Sequence, residues 1–209
     1  MDCREVLSTR KNPFYQAWCN AVTMLRNRRY RTEEDDLSEG DLMHLLQKHG
    51  DHQLLFSRPS VVTDGEERLL MYCTLESKVG IKTVRKLHQA LLGSEISRAI
   101  IIYETSITPF ARQAMKTLQS QEGMHIETFR LLELAIDLIQ HKYVPKHTLL
   151  TPEQKAEVLK MYETNEDLYP KLLRTDPCAR YYGMMPGDMV KVERYYENYG
   201  EYVIYRMVT

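Results

Sequence analysis

Glu76 and Lys78 are the residues whose types and spacing most resemble a catalytic pair. They follow a predicted strand as Glu76-Ser77-Lys78, and many metal-dependent nucleases place a carboxylate beside a lysine in this way at a strand end. The two-residue period of a strand would put both side chains on one face, where the carboxylate could bind a metal ion. The chemistry also needs an acid on a neighbouring strand, and the nearest candidate, Asp64, lies in a predicted turn. Because this partner acid is not found at a strand, we keep a metal-dependent nuclease that uses Glu76 and Lys78 only as an alternative to a non-catalytic function.

The histidines predict no metal site. His44, His49 and His52 are separated by five and three residues, with no carboxylate or cysteine partner at ligand spacing. His141 and His147 flank a Val-Pro pair, where we expect them to hydrogen-bond the backbone. The sequence thus predicts neither a metal nor another cofactor.

Composition limits the class of protein and its partners. Apolar residues make up 43% and charged residues 27% of the 209 residues, with a formal net charge of -1. This balance is typical of a globular protein, and no apolar run approaches the roughly 20 residues that span a bilayer. We expect no signal peptide, no membrane partner and no small-molecule substrate. Because bulk nucleic-acid binders usually carry a basic excess, any DNA contact should be local or shared with a larger assembly.

The four cysteines contain no C-x-x-C pair, so neither a disulfide framework nor a thiolate zinc site is predicted. Cys73 and Cys178 are expected to pack as small apolar groups.

Apolar spacing and turn signals predict an α/β arrangement for the first part of the chain, with helices packed on a sheet. Its predicted elements are helix 12–29, a helix from Ser38 to about His49, strands 53–62 and 68–75 joined at Asp64-Gly65, a helix through Val84 and Leu91, strand 99–103, a helix from Thr108-Pro109 to Gly123, and strand 125–129.

The first predicted helix ends in a basic cluster of Arg26, Arg28 and Arg29. Cations oppose the helix dipole favourably at this end. We interpret the cluster as helix termination with solvated side chains.

The last part of the chain predicts a smaller α+β unit. Val144-Pro145-Lys146 marks the junction, because proline restricts its neighbour and interrupts strand pairing. The predicted elements are a helix from Thr151-Pro152, a helical turn from Asp176-Pro177 to Gly183, and strands 189–194 and 202–208. Tyrosines recur around these elements, and without a basic groove beside them they favour an interface over base stacking.

Several blocks of this sequence resemble the common subunit of eukaryotic nuclear RNA polymerases I, II and III, whose C-terminal half is similar to a small archaeal RNA polymerase subunit. The strongest blocks lie in the last third: His141-Lys142-Tyr143-Val144-Pro145-Lys146-His147, Asp176-Pro177-Cys178-Ala179-Arg180-Tyr181-Tyr182-Gly183, Gly187 to Val192, and Tyr202 to Arg206. Looser blocks are Met24 to Tyr30, Lys78 to Thr83, and Ile107-Thr108-Pro109-Phe110-Ala111.

The resemblance implies an α/β N-terminal jaw domain, residues 1–140, and a small α+β C-terminal assembly domain, residues 141–209. It implies a non-catalytic subunit in the nucleus, or in the nucleolus if dedicated to polymerase I. The expected partners are the largest RNA polymerase subunit, other polymerase subunits and downstream double-stranded DNA. A third possibility is a free adaptor that binds regulators through the jaw surface.

The resemblance also implies two sets of site residues. The DNA-proximal set is Thr108, Pro109, Phe110 and Arg112, and the subunit-interface set is His147, Arg180, Tyr181, Tyr182 and Arg206. Ordinary helix capping remains the alternative role for Thr108, and an internal salt bridge remains the alternative for Arg180 and Arg206.

Two segments depart from the family pattern. Where the family has a basic residue before the glycine of a K-R-G-Q-type turn, this chain has Met184-Met185-Pro186-Gly187-Asp188. Residues 194–202 read R-Y-Y-E-N-Y-G-E-Y in place of R-P-S-E-T-x-G-R-Y. We expect these changes on one surface, which is compatible with a divergent paralogue reserved for one polymerase.

Overall fold

A computed structural model of the chain describes residues 12–32, 37–48, 53–59, 67–74, 76–196 and 200–209. It divides into two compact units, residues 1–136 and 137–209. The expectations for His49, His52 and the Asp64-Gly65 turn fall outside the described residues. None of the described helices is long and apolar enough to cross a membrane.

The first unit is built on a four-stranded sheet with helices before, between and after its strands. Its elements are α1 (Pro13–Asn27), α2 (Glu39–Lys48), β1 (Gln53–Pro59), β2 (Arg68–Thr74), β3 (Lys78–Val79), α3 (Ile81–Ser94), β4 (Arg98–Tyr103), β5 (Ser106–Ile107), α4 (Pro109–Glu122), β6 (His125–Arg130) and α5 (Leu131–Leu134). The sheet order is β1-β2-β4-β6. β1 is antiparallel to β2, whereas β2, β4 and β6 are parallel. The predicted helices and strands occur in the predicted order, whereas β3, β5 and α5 were not predicted.

The central strands β2 and β4 are buried along almost their whole length. Parallel strands that are covered on both faces read as continuous apolar runs, which is why residues 69–73 and 99–102 do not alternate with polar ones. On one face, Leu70, Tyr72 and Ile101 pack with residues of α3 and α4, including Leu87 and Met115. The expectation for Cys73 is confirmed, and its burial raises the pKa of the thiol to about 12, so it stays protonated.

The basic end of α1 terminates the helix as predicted, with Arg26 and Arg29 exposed, but Arg28 departs from the prediction. Arg28 is almost fully buried, with a side chain only 6% exposed, and its guanidinium donates to both carboxylate oxygens of Glu127 on β6 at 2.9 and 2.8 Å. Arg29 adopts a left-handed conformation directly after it, with φ of 63°, and ends the helix. The interpretation of Arg28 as solvated was wrong, because helix periodicity does not reveal a distant carboxylate on the sheet.

The second unit is a four-stranded sheet between two helices. Its elements are β7 (Lys146–Leu149), α6 (Pro152–Met161), a 3₁₀ turn (Glu166–Leu168), β8 (Lys171–Leu172), α7 (Pro177–Tyr182), β9 (Met189–Tyr196) and β10 (Gly200–Val208). The order is β7-β9-β10-β8, with β9 and β10 antiparallel and β8 parallel to β10. Val158 of α6 packs with Met189 and Met207, whereas Ala179 of α7 packs with Val190 and other residues of the opposite face.

The helix starts predicted for this unit are confirmed. The Thr151 hydroxyl accepts from Gln154 N at 3.3 Å, and the Gln154 side chain accepts from Thr151 N at 3.0 Å, which forms a capping box. Asp176 accepts from Cys178 N at 2.8 Å, and Gly183 ends α7 with φ of 65°. The strands β7 and β8 were not predicted, because runs of four and two residues carry too little periodicity.

The Arg28–Glu127 pair gives a stability prediction. Glu127→Ala leaves the guanidinium buried without this carboxylate, so we expect it to lower the free energy of unfolding by about 2–3 kcal/mol. Urea denaturation followed by fluorescence of Trp18 reports on this unit, because Trp18 is the chain's one tryptophan and is buried in α1. The control is Glu67→Ala, which removes a more exposed partner of Arg98 and should cost less than about 1 kcal/mol. Equal losses in the two variants would contradict a special role for the buried pair.

Candidate nucleic-acid interface

Two helix N-termini lie side by side in the first unit. A single residue separates each helix from the short strand before it: Gly80 lies between β3 and α3, and Thr108 lies between β5 and α4. The two short strands pair in parallel, with Lys78 opposite Ser106 and Val79 opposite Ile107. Thr108 N also donates to the Val79 carbonyl at 3.0 Å. The pairing therefore sets both helix starts at one edge of the unit.

The two helix starts differ in how their backbone donors are capped. α4 is capped by Thr108, whose hydroxyl oxygen accepts from Ala111 N at 3.3 Å, with Pro109 at the first helical position. The capping role predicted for Thr108 is confirmed. α3 follows Gly80, which supplies no capping side chain. The first N–H groups of a helix have no partner inside it, so they and the helix dipole favour a nearby anion.

The charged side chains of the two helix starts are cationic. Neither α3 nor α4 has an acidic residue in its own first turn, and exposed Lys82 and Arg112 lie within or directly after the first turns. The Glu76 carboxylate precedes α3 but bonds Thr83 in its first turn, so it already places one anion at that helix start. A cation at a helix start is unfavourable by roughly 0.3–1 kcal/mol, and a further anion such as an external phosphate would offset the repulsion. Phe110 is 80% exposed and Lys78 is also exposed. The arrangement can hold a phosphate group without base-specific contacts.

Glu76 and Lys78 do not form the predicted catalytic pair. β2 ends at Thr74, Glu76 lies outside any strand, and Lys78 belongs to the separate strand β3. The Glu76 carboxylate accepts from the Thr83 hydroxyl at 2.7 Å, so it links the end of β2 to the first turn of α3. The expectation of one strand face for both side chains was wrong, because only Lys78 lies in a strand. Among the described residues, no group of three or more His, Cys, Asp or Glu side chains is arranged to hold a metal ion.

His141 and His147 hydrogen-bond the backbone of the second unit, as predicted. Tyr143 N donates to His141 Nδ1 at 3.4 Å, and His147 Nδ1 lies 2.7 Å from the Pro145 carbonyl oxygen. Burial lowers the pKa of His147, although the Pro145 bond opposes that shift. His147 is therefore held neutral at pH 7, where its Nδ1–H can donate to the carbonyl.

The remaining residues of the interface set lie on α7 and β10. Tyr181 is buried and meets half-buried Tyr182 edge to face, with ring centroids 5.1 Å apart. Arg180 is half-buried on the same helix, and the Arg206 guanidinium donates to the Lys171 carbonyl at 3.4 Å. Because Tyr181 is buried in its own unit, we expect it to support Tyr182 more than to touch a partner.

One departure from the family pattern is not on a surface. Met184 is 2% exposed and packs in the core beside α7 and β9, so the expectation that the changes share one surface was wrong for this residue. Asp188 accepts from Met185 N at 2.7 Å and closes the turn, in which Gly187 has φ of 93°.

Sequence reasoning also missed Lys82 of the first unit as a candidate site residue, because no sequence signal predicts that two strands of two residues pair.

Comparison with known proteins identifies the family. Residues 136–208 match the family described as RNA polymerase Rpb5, C-terminal domain. The subunit rpabc1 of DNA-directed RNA polymerases I, II and III from Dictyostelium discoideum is 35% identical over 166 residues, covering 73% of this chain and 83% of that protein. This chain belongs to the Rpb5 family. The RPABC1 subunits of Caenorhabditis elegans and Caenorhabditis briggsae are each 34% identical over 145 residues, which covers 69% of this chain and 68% of each protein.

The Rpb5 assignment confirms the resemblance drawn from the sequence blocks. The family match includes all four of the stronger blocks and nearly the whole second unit. Nothing in the fold or the comparisons supports the nuclease alternative.

The geometry around Glu76 gives a direct test of the nuclease alternative. We expect the purified chain to show no cleavage of DNA or RNA with Mg²⁺ or Mn²⁺, because Glu76 is bonded to Thr83 and no described acidic cluster surrounds it. The measurement is gel analysis of labelled duplex and single-stranded substrates. Glu76→Gln, which keeps an acceptor for Thr83, is the matched variant. Metal-dependent cleavage that Glu76→Gln abolishes would contradict this conclusion.

Proposed function

We propose that this chain is a non-catalytic structural subunit of a nuclear DNA-directed RNA polymerase. The observation that carries the proposal is the 35% identity to a named polymerase subunit over most of both chains. Polymerisation chemistry would belong to other subunits, and the chain would reside in the nucleus, or in the nucleolus if it serves polymerase I alone. Because these relatives are named as polymerase subunits, a free adaptor that binds regulators is the weaker proposal.

The second unit is proposed to be the assembly domain that docks on the largest subunit. It has its own sheet, a core on each face of the sheet and capped helices, so it does not need the first unit for a hydrophobic core. Arg180, Tyr182, His147 and Arg206 are partly exposed on it. Planar guanidinium groups suit carboxylate and carbonyl partners, and half-buried tyrosines are common at interfaces.

The first unit is proposed to be the jaw near downstream DNA. The paired helix starts at Thr108 and Gly80 offer backbone N–H groups, two dipole ends and the cations Lys82 and Arg112. These groups suit phosphates and carry no sequence preference. A local cationic edge also reconciles DNA contact with a net charge of -1 for the whole chain.

The assembly-domain proposal predicts that residues 137–209 fold alone and bind the largest subunit. At this size the fragment should be stable by only about 3–5 kcal/mol. Arg180→Glu with Arg206→Glu should weaken binding about tenfold or more while leaving the circular dichroism spectrum unchanged, because a glutamate cannot donate to carbonyl or carboxylate acceptors on the partner. Lys160→Glu, at an exposed site on α6, is the control. Equal binding of both charge-reversed fragments, measured by pull-down with purified largest subunit, would remove Arg180 and Arg206 from the interface.

The jaw proposal predicts the salt dependence of DNA retention. In assembled polymerase, Lys82→Ala with Arg112→Ala should make the slope of log affinity for the downstream duplex against log salt shallower by roughly 2, since each phosphate contact contributes about 0.9. The measurement is retention of downstream duplex by elongation complexes across a salt series.

The matched control for that experiment is Lys142→Ala with Lys160→Ala, which removes two charges from the second unit. Thr108→Ser keeps a hydroxyl cap and should also retain the original slope. If both double variants show the same slope as the unmodified protein, the paired helix starts do not contact DNA.

A further inference from the structure

The strand β10 is paired unequally along its two edges. On one side β9 pairs with it from Gly200 to Met207. On the other side β8 pairs only with Met207 and Val208. A 3₁₀ turn at 166–168 precedes β8. Within the described part of the chain, no strand pairs with the first seven residues of β10 on the β8 side.

The direction of the free backbone groups follows from the bonds at the strand's end. Val208 N donates to Asp188 O on the β9 side, whereas Met207 N donates to Pro170 O on the β8 side. Because successive residues of a strand point their N–H and C=O groups to opposite edges, Val203 and Tyr205 share the orientation of Met207. No backbone bond is found to the N–H or C=O of Val203 or Tyr205 among the described residues outside the paired strands. An edge of this kind is a template for another strand.

An apolar groove of about 280 Å³ lies directly beside this edge. It is lined by Tyr162 at the end of α6, by Leu168 and Pro170 before β8, and by Val203 and Tyr205. Leu168 is 74% exposed and Tyr162 is 54% exposed. The side chains of Val203 and Tyr205 lie on the same sheet face as Met207, which packs against Val158 of α6. A strand at the edge would therefore place alternate side chains over this groove.

We propose that the free edge of β10 from Glu201 to Tyr205 receives an extended segment of a partner polymerase subunit, which adds a strand to the sheet. The segment carries apolar side chains at alternate positions, and at least one enters the groove between Tyr162, Leu168 and Tyr205. This inference rests on the proposed function, because the occupant is a segment of the polymerase.

The geometry selects an extended segment over a helix. A helix satisfies its own backbone, so it would leave the N–H and C=O groups of Val203 and Tyr205 unpaired when it covered them. A strand satisfies them and buries the exposed aromatic and leucine side chains in the same step. Main-chain bonds then supply affinity, and the groove selects the side chain, as in other cases of strand addition.

The experiment uses the full chain in its polymerase with a backbone-directed variant. Val203→Pro removes the outward N–H and blocks strand addition, yet proline is tolerated on an edge whose N–H faces solvent, so the unit should still fold. Val203→Ala, which keeps the backbone donor, is the control. We expect Val203→Pro to reduce recovery of the tagged chain with the other polymerase subunits at least tenfold and Val203→Ala to leave it unchanged. The thermal unfolding curve of each isolated variant should match the unmodified chain.

Two further measurements keep the test decisive. Amide hydrogen exchange at Val203 and Tyr205 should be about a hundredfold slower in the polymerase than in the free chain, because only the added strand protects these donors. Leu168→Asp should weaken assembly, whereas Leu173→Asp, also exposed but outside the groove, should not. If Val203→Pro fails to fold, the exchange data and the aspartate pair still decide the question.

The outcomes separate the inference from the proposed function. If the unmodified chain assembles, Val203→Pro assembles equally and both amides exchange as in the free chain, strand addition is wrong while membership of the polymerase stands. If the unmodified chain recovers no polymerase subunit, both fail together. A concentration-dependent dimer of the isolated chain that Val203→Pro abolishes would assign the edge to a second copy and overturn the inference.

Discussion

The common direction of β2, β4 and β6 is the constraint on which the first unit depends. Parallel neighbours cannot be joined by a tight turn, so the chain must return across the sheet through α3 and α4. Each return starts from the carboxyl end of a strand, and both helix N-termini therefore arise at the same edge. The short β3–β5 pair extends this geometry and fixes the two starts as neighbours. A paired set of backbone donors is thus a consequence of topology, which Lys82 and Arg112 convert into a cationic edge.

The second unit follows a different rule, in which one long hairpin dominates. β9 and β10 pair over eight positions, whereas the outer strands β7 and β8 are short. The hairpin gives each sheet face apolar side chains on which α6 or α7 packs, so the unit has a core on both sides. The shortness of β8 leaves part of β10 without a neighbour. The long hairpin thus supplies the core of this small unit, and the short strand β8 leaves an edge of β10 that a partner can complete.

Sequence reasoning predicted the elements that have strong local signals. The Thr108-Pro109, Thr151-Pro152 and Asp176-Pro177 starts were correct because capping chemistry is contained within a few residues. The short continuous apolar run at 99–103 also identified β4, because a buried parallel strand carries this local pattern.

Several errors concern contacts that the local pattern of residues does not reveal. Arg28 finds Glu127 ninety-nine residues away, and Glu76 turns to Thr83 on a helix instead of staying on a strand. Met184 looked like a surface change because its neighbours are turn residues, but it packs beneath them. The candidate site was predicted in part. Thr108 and Arg112 came from the family resemblance, whereas Lys82 could be assigned to the site only once the β3–β5 pairing was known. Local patterns cannot specify such pairings, since they depend on the register of strands that are far apart in sequence.

The central claim is that this Rpb5 family member works as a polymerase subunit, and purification of the tagged chain from its own cells under gentle salt tests it most directly. Quantitative mass spectrometry of the purified material is predicted to find the largest polymerase subunit and this chain in about equal molar amounts, in a particle that elongates RNA. The set of large subunits recovered would identify which polymerase contains it. Recovery of the chain as a free monomer, with no large polymerase subunit above the level of an untagged control, would contradict the account.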